Sequence, residues 1–227
     1  VAGDIETEET IELVKKYFDE VPRGNEVVRN FPKEEPITEN IRAKAYDRNI
    51  QIPMLLSTFR TPGFASRDSY VLDMISTYLS SGKSSVLYKK LVDNQKQALQ
   101  TQVINLGQVD YNIFAILALP LGEVPLDTLL TEIVEEIEKV QNELISERSY
   151  QKLLNKFESQ FVNSNSSIAG IANSLARYYL LYGDVNLINK EIDIYRSITR
   201  EEIRSVAQKY LSSNQRVDIE YLPETGE

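Results

Sequence analysis

The sequence predicts an α+β fold in which an antiparallel or mixed β-sheet has helices packed on one face. Two strand candidates, residues 99–106 and 112–119, are separated by a short stretch that contains glycine, which favours an antiparallel hairpin. Most of the chain that follows them has helical periodicity, and residues 216–222 then alternate as a closing strand. Strands joined by hairpin-type links, together with a run of consecutive helices, are typical of α+β domains.

The N-terminal part of the chain is predicted to belong to a different unit from the rest. Residues 8–20 have a helical pattern with apolar side chains on one face. Residues 25–40 contain two prolines, mixed charges and no clear period, as is typical of a linker. The first residues resemble the end of a buried strand, so we expect the chain to begin inside a longer protein. We therefore predict that residues 1–28 are the C-terminal piece of a preceding α/β unit and that residues 29–227 form one domain.

Hydrophobic periodicity and the capping residues predict the remaining elements. Two further strands are predicted at residues 42–49 and 53–60. Helices are predicted at residues 69–79, from Val86 through Leu91, and at 125–145 with Pro125 in the first turn. Roughly 65 residues of mostly helical pattern follow. In this run an apolar stripe steps by three and four from Ile168 to Tyr182, until Gly183 breaks it. A shorter helix then holds Ile188 and Ile192, and a capping box at 199–202 opens the last helix. After the linker, the predicted order is β-β-α-α-β-β-α-α-α-α-β.

The chain contains no histidine and no cysteine. Catalytic zinc sites use histidine most often, and a Ser-His-Asp triad needs an imidazole base, so a conventional zinc site and such a triad are excluded. Nucleic-acid binding is not expected, because the net charge is −9 and no basic run is available to neutralise phosphates. No segment approaches the roughly 18 consecutive apolar residues of a membrane span.

Two short motifs invite functional interpretations that the sequence does not support. Ser81-Gly82-Lys83-Ser84 resembles part of a phosphate-binding loop, but that loop needs an earlier glycine at the position of Thr77 and a preceding strand. We interpret it as a turn between helices whose serines cap the second helix. Asn165-Ser166-Ser167 fits the glycosylation pattern, but a polar helical or loop stretch is the favoured interpretation.

Charged and aromatic clusters also receive structural interpretations. The glutamates of the helix at 125–145 are interpreted as a solvated helix face, namely Glu132, Glu135, Glu136 and Glu138. The tyrosines of the helix at 168–182 are interpreted as packing residues, namely Tyr178, Tyr179 and Tyr182. Three carboxylates are assigned no role, because no apolar setting that would shift a pKa is visible around them, namely Asp47, Glu191 and Asp193.

Three segments carry a resemblance to a known family. Residues 1–4, followed by a helix and residues 16–22, resemble a junction that closes one α/β unit and leads to the next. Residues 79–91 resemble a Gly/Ser turn with the helix after it, and the tail from Ser149 to Leu211 is similar to a long helical segment and last helix. Together they resemble the insulinase/pitrilysin (M16) family of zinc metallopeptidases over nearly the whole chain.

The resemblance implies a multi-unit peptidase that encloses peptides in a chamber. One unit of that family carries His-x-x-Glu-His and a downstream glutamate that hold zinc, and this sequence has no such motif. Partner units can contribute an arginine and a tyrosine to substrate positioning, and Val92 and Leu99 stand at the corresponding positions. We therefore assign no catalytic and no metal-binding residue to this chain, and no substrate-binding residue is identified.

The expected function is that of a non-catalytic structural domain of a zinc-dependent endopeptidase, forming part of the peptide-enclosing chamber and inactive alone. The alternative is a scaffold or core subunit of the same fold in a complex without peptidase activity. The resemblance implies zinc in the parent protein and none in this chain, and it implies neighbouring M16-type domains and the parent's peptide substrate as partners. The lack of cysteine is compatible with a periplasmic or other extracytoplasmic location without establishing one.

Overall fold

The computed structural model describes residues 1–25, 30, 32 and 34–224, and in this part of the chain it has an α+β architecture. The strands are β1 (Ile41–Asp47), β2 (Met54–Pro62), β3 (Ala98–Leu106), β4 (Tyr111–Pro120) and β5 (Arg216–Pro223). The α-helices are α1 (Thr7–Phe18), α2 (Arg67–Ser80), α3 (Leu126–Asn142), α4 (Glu147–Ser164), α5 (Ile168–Tyr182), α6 (Leu187–Ser197) and α7 (Arg200–Tyr210). A π-helix at Tyr88–Asn94 and a 3₁₀ turn at Ser213–Gln215 complete the set.

The five described strands form one mixed sheet in the order β1-β5-β2-β4-β3. The last strand, β5, lies between β1 and β2; it runs parallel to β1 and antiparallel to β2. The predicted β3–β4 hairpin is present, and β4 also pairs with β2 in antiparallel fashion. The predicted mixed sheet is therefore confirmed, and every predicted strand end lies within two residues of the observed one.

Helices α2, α3 and α7 cover one face of the sheet and enclose the core with it. On this face, Leu55 and Phe59 of β2 and Phe114 and Ile116 of β4 are at most 1% exposed. Burying a side chain of this size contributes roughly 1.5–3 kcal/mol, so this interface supplies much of the driving force for folding. Helices α4 and α6 pack on α2, and α5 packs on α4 and α6, so these three form an outer layer.

The structure corrects the predicted helices in three places. Between β4 and β5 there are five α-helices rather than four, because Ser146 caps α4 and Ser167 caps a separate α5. The predicted helix after the Gly/Ser turn is mostly π-helical, with the Gln95 N–H donating to the carbonyl of Lys90. Pro125 is extended and precedes α3, which begins at Leu126 rather than within a first turn containing the proline.

Two predicted helix-end signals are observed, one of them in part. Gly183 ends α5 in the left-handed region with φ of 69°, where glycine meets no Cβ penalty. The Thr199 hydroxyl accepts a hydrogen bond from the Glu202 N–H at 3.1 Å, which is half of a capping box. The Glu202 carboxylate instead accepts from Arg67 at 2.6 Å, so it ties α7 to α2.

Helix α1 has no buried residue. The predicted boundary between residues 28 and 29 lies outside the described residues, so the proposed division into two units stays a prediction. Among the described helices, none is both long enough and apolar enough to cross a membrane.

Candidate functional site

The Gly/Ser turn at residues 81–85 links α2 to the π-helix and is held by the outer helical layer. The Ser81 and Ser84 hydroxyls are contacted by the ammonium groups of Lys156 and Lys152 on α4. Ser85 donates its hydroxyl proton back to the Gly82 carbonyl at 2.7 Å rather than capping the next helix, which corrects that interpretation. Since the turn follows helix α2 and not a strand, it lacks the setting of a phosphate-binding loop.

The two positions compared with the family's substrate-positioning pair lie on neighbouring elements. Val92 lies on the π-helix, half-buried against the core, and Leu99 lies on β3, where it is 46% exposed. Neither side chain has a hydrogen-bond donor, so neither can hold a substrate carbonyl or a developing oxyanion.

Three glutamates of α3 form an ion-pair cluster; their interpretation as a solvated face is wrong for Glu132 and Glu136, which are shielded, but holds for the exposed Glu135. The Lys90 ammonium lies 2.7 Å from Glu132, 2.9 Å from Glu135 and 3.0 Å from Glu136. Burial alone would lower the pKa of Lys90, but hydrogen bonds to these carboxylates outweigh it and raise the pKa. The cluster fastens the π-helix to α3, whereas Glu138 is exposed as predicted.

The three carboxylates left without a role have structural partners. Asp47 accepts a hydrogen bond from the Tyr221 hydroxyl, which lowers the pKa of Asp47 and joins β1 to β5. Asp193 forms an exposed ion pair with Arg196 at 3.2 Å. Glu191 accepts a hydrogen bond from the Tyr178 hydroxyl at 2.6 Å and lines a cavity, a setting that the sequence does not indicate.

The predicted packing role holds for two of the three tyrosines of α5. Tyr178 is buried and Tyr182 packs edge-on against Phe64 at 4.9 Å, but Tyr179 is 70% exposed. The glycosylation-like motif begins at the C-terminal cap of α4, where the Asn165 side chain donates to the Phe161 carbonyl at 3.1 Å. This intrahelical bond agrees with the favoured structural interpretation of the motif.

Sequence reasoning missed a half-buried carboxylate, Asp73, which lies on α2 and faces α6 and β3. Asp73 accepts hydrogen bonds from the Asn105 amide at 2.9 Å and from the Tyr195 hydroxyl at 3.3 Å. Burial raises the pKa of Asp73 to about 6. The sequence signal that could have revealed it is helical spacing. Asp73 follows Tyr70 by three residues and therefore lies on the same, inward side of α2.

The sheet has a second apolar face that the helices do not cover. Leu56 on β2 lies opposite Leu117 on β4 and Ile219 on β5, and Ile219 lies opposite Ala43 on β1. None of these four side chains is fully buried, in contrast to their neighbours on the helix side. Ile113, farther along β4 on the same face, is 40% exposed. We call this surface the open sheet face.

The residues present do not fit a zinc site. The chain supplies no imidazole and no thiolate. In the described ranges, no three carboxylates converge closely enough to hold a metal ion. A conventional zinc site needs imidazole or thiolate ligands, which this chain does not supply.

Comparison with models of protein families shows to which family the chain belongs. Residues 1–157 match the family model described as the peptidase M16 inactive domain. The chain belongs to the peptidase M16 family. It is an inactive-type M16 domain, in agreement with the resemblance noted in its sequence.

Individual proteins are also similar to this chain, and the solved structures among them share its fold. The zinc protease PqqE of Helicobacter pylori (strain ATCC 700392 / 26695) is 25% identical over 221 residues, which are 96% of this chain and 50% of that protein. The crystal structure of a protease from Helicobacter pylori superimposes with a TM-score of 0.88 at 23% identity, over 97% of this chain and 54% of the other. An M16 inactive-domain structure from Pseudomonas fluorescens gives a TM-score of 0.81 at 12% identity, covering 99% of this chain and 53% of that one. The chain thus spans about half the length of each of these relatives.

Proposed function

We propose that this chain is a non-catalytic structural domain of a zinc-dependent endopeptidase and forms part of the wall of its peptide-enclosing chamber. The observation that carries the proposal is the lack of histidine and cysteine in an M16 domain of the inactive type. The zinc ligands would come from another M16 unit of the parent protein or of a partner subunit. The name of the Helicobacter pylori relative, a zinc protease twice as long as this match, supports that arrangement.

The open sheet face supports the wall role. A sheet with helices on one side usually has polar residues on its other side, which faces water. Here the uncovered side carries Leu56, Leu117 and Ile219 in register across three adjacent strands. An apolar surface of this kind favours contact with an extended peptide or another apolar surface over contact with bulk water.

The N-terminal segment supports a neighbouring unit as a partner. Helix α1 exposes Ile11, Val14 and Phe18, which lie on one side of the helix and are between 43% and 65% exposed. Such an apolar stripe needs a partner to be stable in water. We propose that residues 1–28 pack against the unit that precedes this domain in the parent protein.

A peptidase assay tests whether the chain is inactive. The purified chain, incubated with zinc and a quenched fluorescent peptide, is expected to show no hydrolysis above a zinc-only control, because it cannot assemble the His-rich zinc site that activates water. The complete parent protein, assayed alongside, should cut the peptide and lose activity on addition of a chelator. Robust chelator-sensitive hydrolysis by the chain alone would overturn the proposal. A complete protein that has no His-x-x-Glu-His and no activity, even with its partner subunits, would instead support the scaffold alternative.

A further inference from the structure

A cavity of about 410 Å³ lies on the helical side of the sheet, among α2, β3, α4, α5 and α6. Aromatic rings form much of its wall. Tyr195 stacks on Phe157 at 4.2 Å and meets the edge of Tyr70 at 5.3 Å, and Phe64 meets Tyr182 at 4.9 Å. The cavity is large enough for a small ligand, since ligand pockets occupy roughly 300–1,000 Å³.

Two carboxylates in this wall have hydrogen-bond donors but form no ion pair among the described residues. Asp73 accepts from Asn105 and Tyr195, and Glu191 accepts from the hydroxyl of Tyr178. Within the described part of the chain, neither carboxylate lies within ion-pair distance of a lysine or arginine. The third charged residue of the wall is Arg177, so the wall has a net charge of −1 when all three are ionised. One monovalent cation would therefore neutralise the cavity.

A buried acceptor in the same wall has no donor. The Asn105 side-chain amide nitrogen donates to Asp73 and to the Ser69 carbonyl, which fixes the orientation of the amide. Turning the amide over would place its oxygen against the Asp73 carboxylate. In this orientation the Asn105 Oδ1 atom is buried and accepts no hydrogen bond. Because this oxygen is also shielded from solvent, the Asn105 amide orients Asp73 and does not contact a ligand in the cavity itself.

We propose that this cavity binds an alkylammonium or guanidinium group. Such a group donates several hydrogen bonds, carries the single positive charge that the wall lacks, and is attracted to aromatic faces. Its source is either a lysine or arginine side chain of a neighbouring polypeptide or a free organic amine. The inference does not depend on the chamber role, because the cavity lies on the helical side and not on the open sheet face.

Calorimetric titration of the full chain at pH 7.5 tests the proposal. The probes are n-butylammonium, n-butylguanidinium and a blocked Gly-Lys-Gly peptide, with n-butanol as the neutral comparison. At least one cationic probe is expected to bind at one site, and n-butanol is expected to bind at least tenfold more weakly. Binding of the small cations alone identifies a free amine as the ligand, whereas binding of the peptide identifies a side chain.

The Glu191→Gln variant localises the binding. It keeps an acceptor for Tyr178 but removes one charge, so cation affinity is expected to fall at least tenfold while the unfolding midpoint stays close to that of the parent chain. Glu138→Gln removes the same charge from an exposed site on α3 and is the matched control. Equal affinity of the parent chain and Glu191→Gln, binding of n-butanol equal to that of the cations, or no binding of any cation would overturn the proposal.

A pH series provides a second measurement on the parent chain. Asp73 faces Glu191 and Tyr195 from α6 and Arg177 from α5, and its pKa of about 6 leaves it mostly ionised at neutral pH and mostly neutral at pH 5. Cation affinity is therefore expected to fall by about tenfold between pH 7.5 and pH 5. An affinity that stays constant over this range would contradict a role for Asp73 in the site.

Discussion

Replacement of Arg216 by methionine is expected to lower the free energy of unfolding by about 3–5 kcal/mol. Arg216 and Asp218 lie on the helix-covered face of β5, where they are 7% and 3% exposed. The guanidinium lies 2.8 Å from Asp218, which also accepts from Ser57 at 2.7 Å and from Asn40 at 2.9 Å. Without the arginine, Asp218 keeps two neutral donors, the Ser57 hydroxyl and the Asn40 amide. It loses the only cationic partner that the structure describes for it, in a buried site.

Chemical denaturation of the single and double variants checks this expectation. Arg148→Met is the matched control, because Arg148 is exposed on α4, and it should change stability by less than about 0.5 kcal/mol. Adding Asp218→Asn to Arg216→Met removes the unpaired charge and should recover a measurable part of the loss. A loss of under about 1 kcal/mol for Arg216→Met would show that the pair does not hold the centre of the sheet together.

Replacement of Phe114 by alanine is expected to cost about 3–5 kcal/mol, whereas Ile113→Ala should cost less than about 1.5 kcal/mol. These neighbours on β4 point to opposite faces of the sheet. Phe114 is fully buried and meets the edge of Phe59 at 6.4 Å, while Ile113 is 40% exposed on the open sheet face. The first change leaves a cavity beneath the helices, and the second removes a side chain that already contacts water.

Urea unfolding of the two variants, followed by circular dichroism, gives the comparison. The expected separation of at least about 1.5 kcal/mol depends on which face of the sheet the helices cover. Similar losses for both variants would mean that the second face of the sheet is packed in the isolated chain, which would remove the main structural support for the chamber wall.

The strands and most helix positions could be predicted from the sequence, because they depend on local periodicity and on short-range signals. Residues 99–106 and 112–119 are strand-like and separated by a short stretch that contains glycine, so their hairpin could be predicted, and Gly183 marked the end of α5. The position of β5 between β1 and β2 could not be predicted, since it depends on which strands, distant in sequence, pair to complete the sheet. The break between α4 and α5 was also missed, because it depends on the Ser167 cap within a polar stretch.

The cavity could not be predicted, because its polar residues come together only in the tertiary fold. Asn105 and Tyr195 are separated from Asp73 by 32 and 122 residues, and each alone looks like an ordinary side chain of a strand or helix. The ion-pair cluster around Lys90 was missed for the same reason, since its glutamates lie on α3 and the lysine on the π-helix. The prediction that the chain holds no conventional zinc site rests only on the residue inventory, which contains no histidine and no cysteine.

Photo-crosslinking in the complete parent protein tests the chamber-wall role most directly. A benzophenone side chain is placed at Leu56 on the open sheet face or at Leu180, which is 81% exposed on the outer helix α5, and the protein is irradiated with a labelled peptide that resists hydrolysis. The wall role predicts strong labelling from position 56, competed by unlabelled peptide, and background labelling from position 180. Equal labelling from both positions, or labelling from position 180 alone, would contradict it.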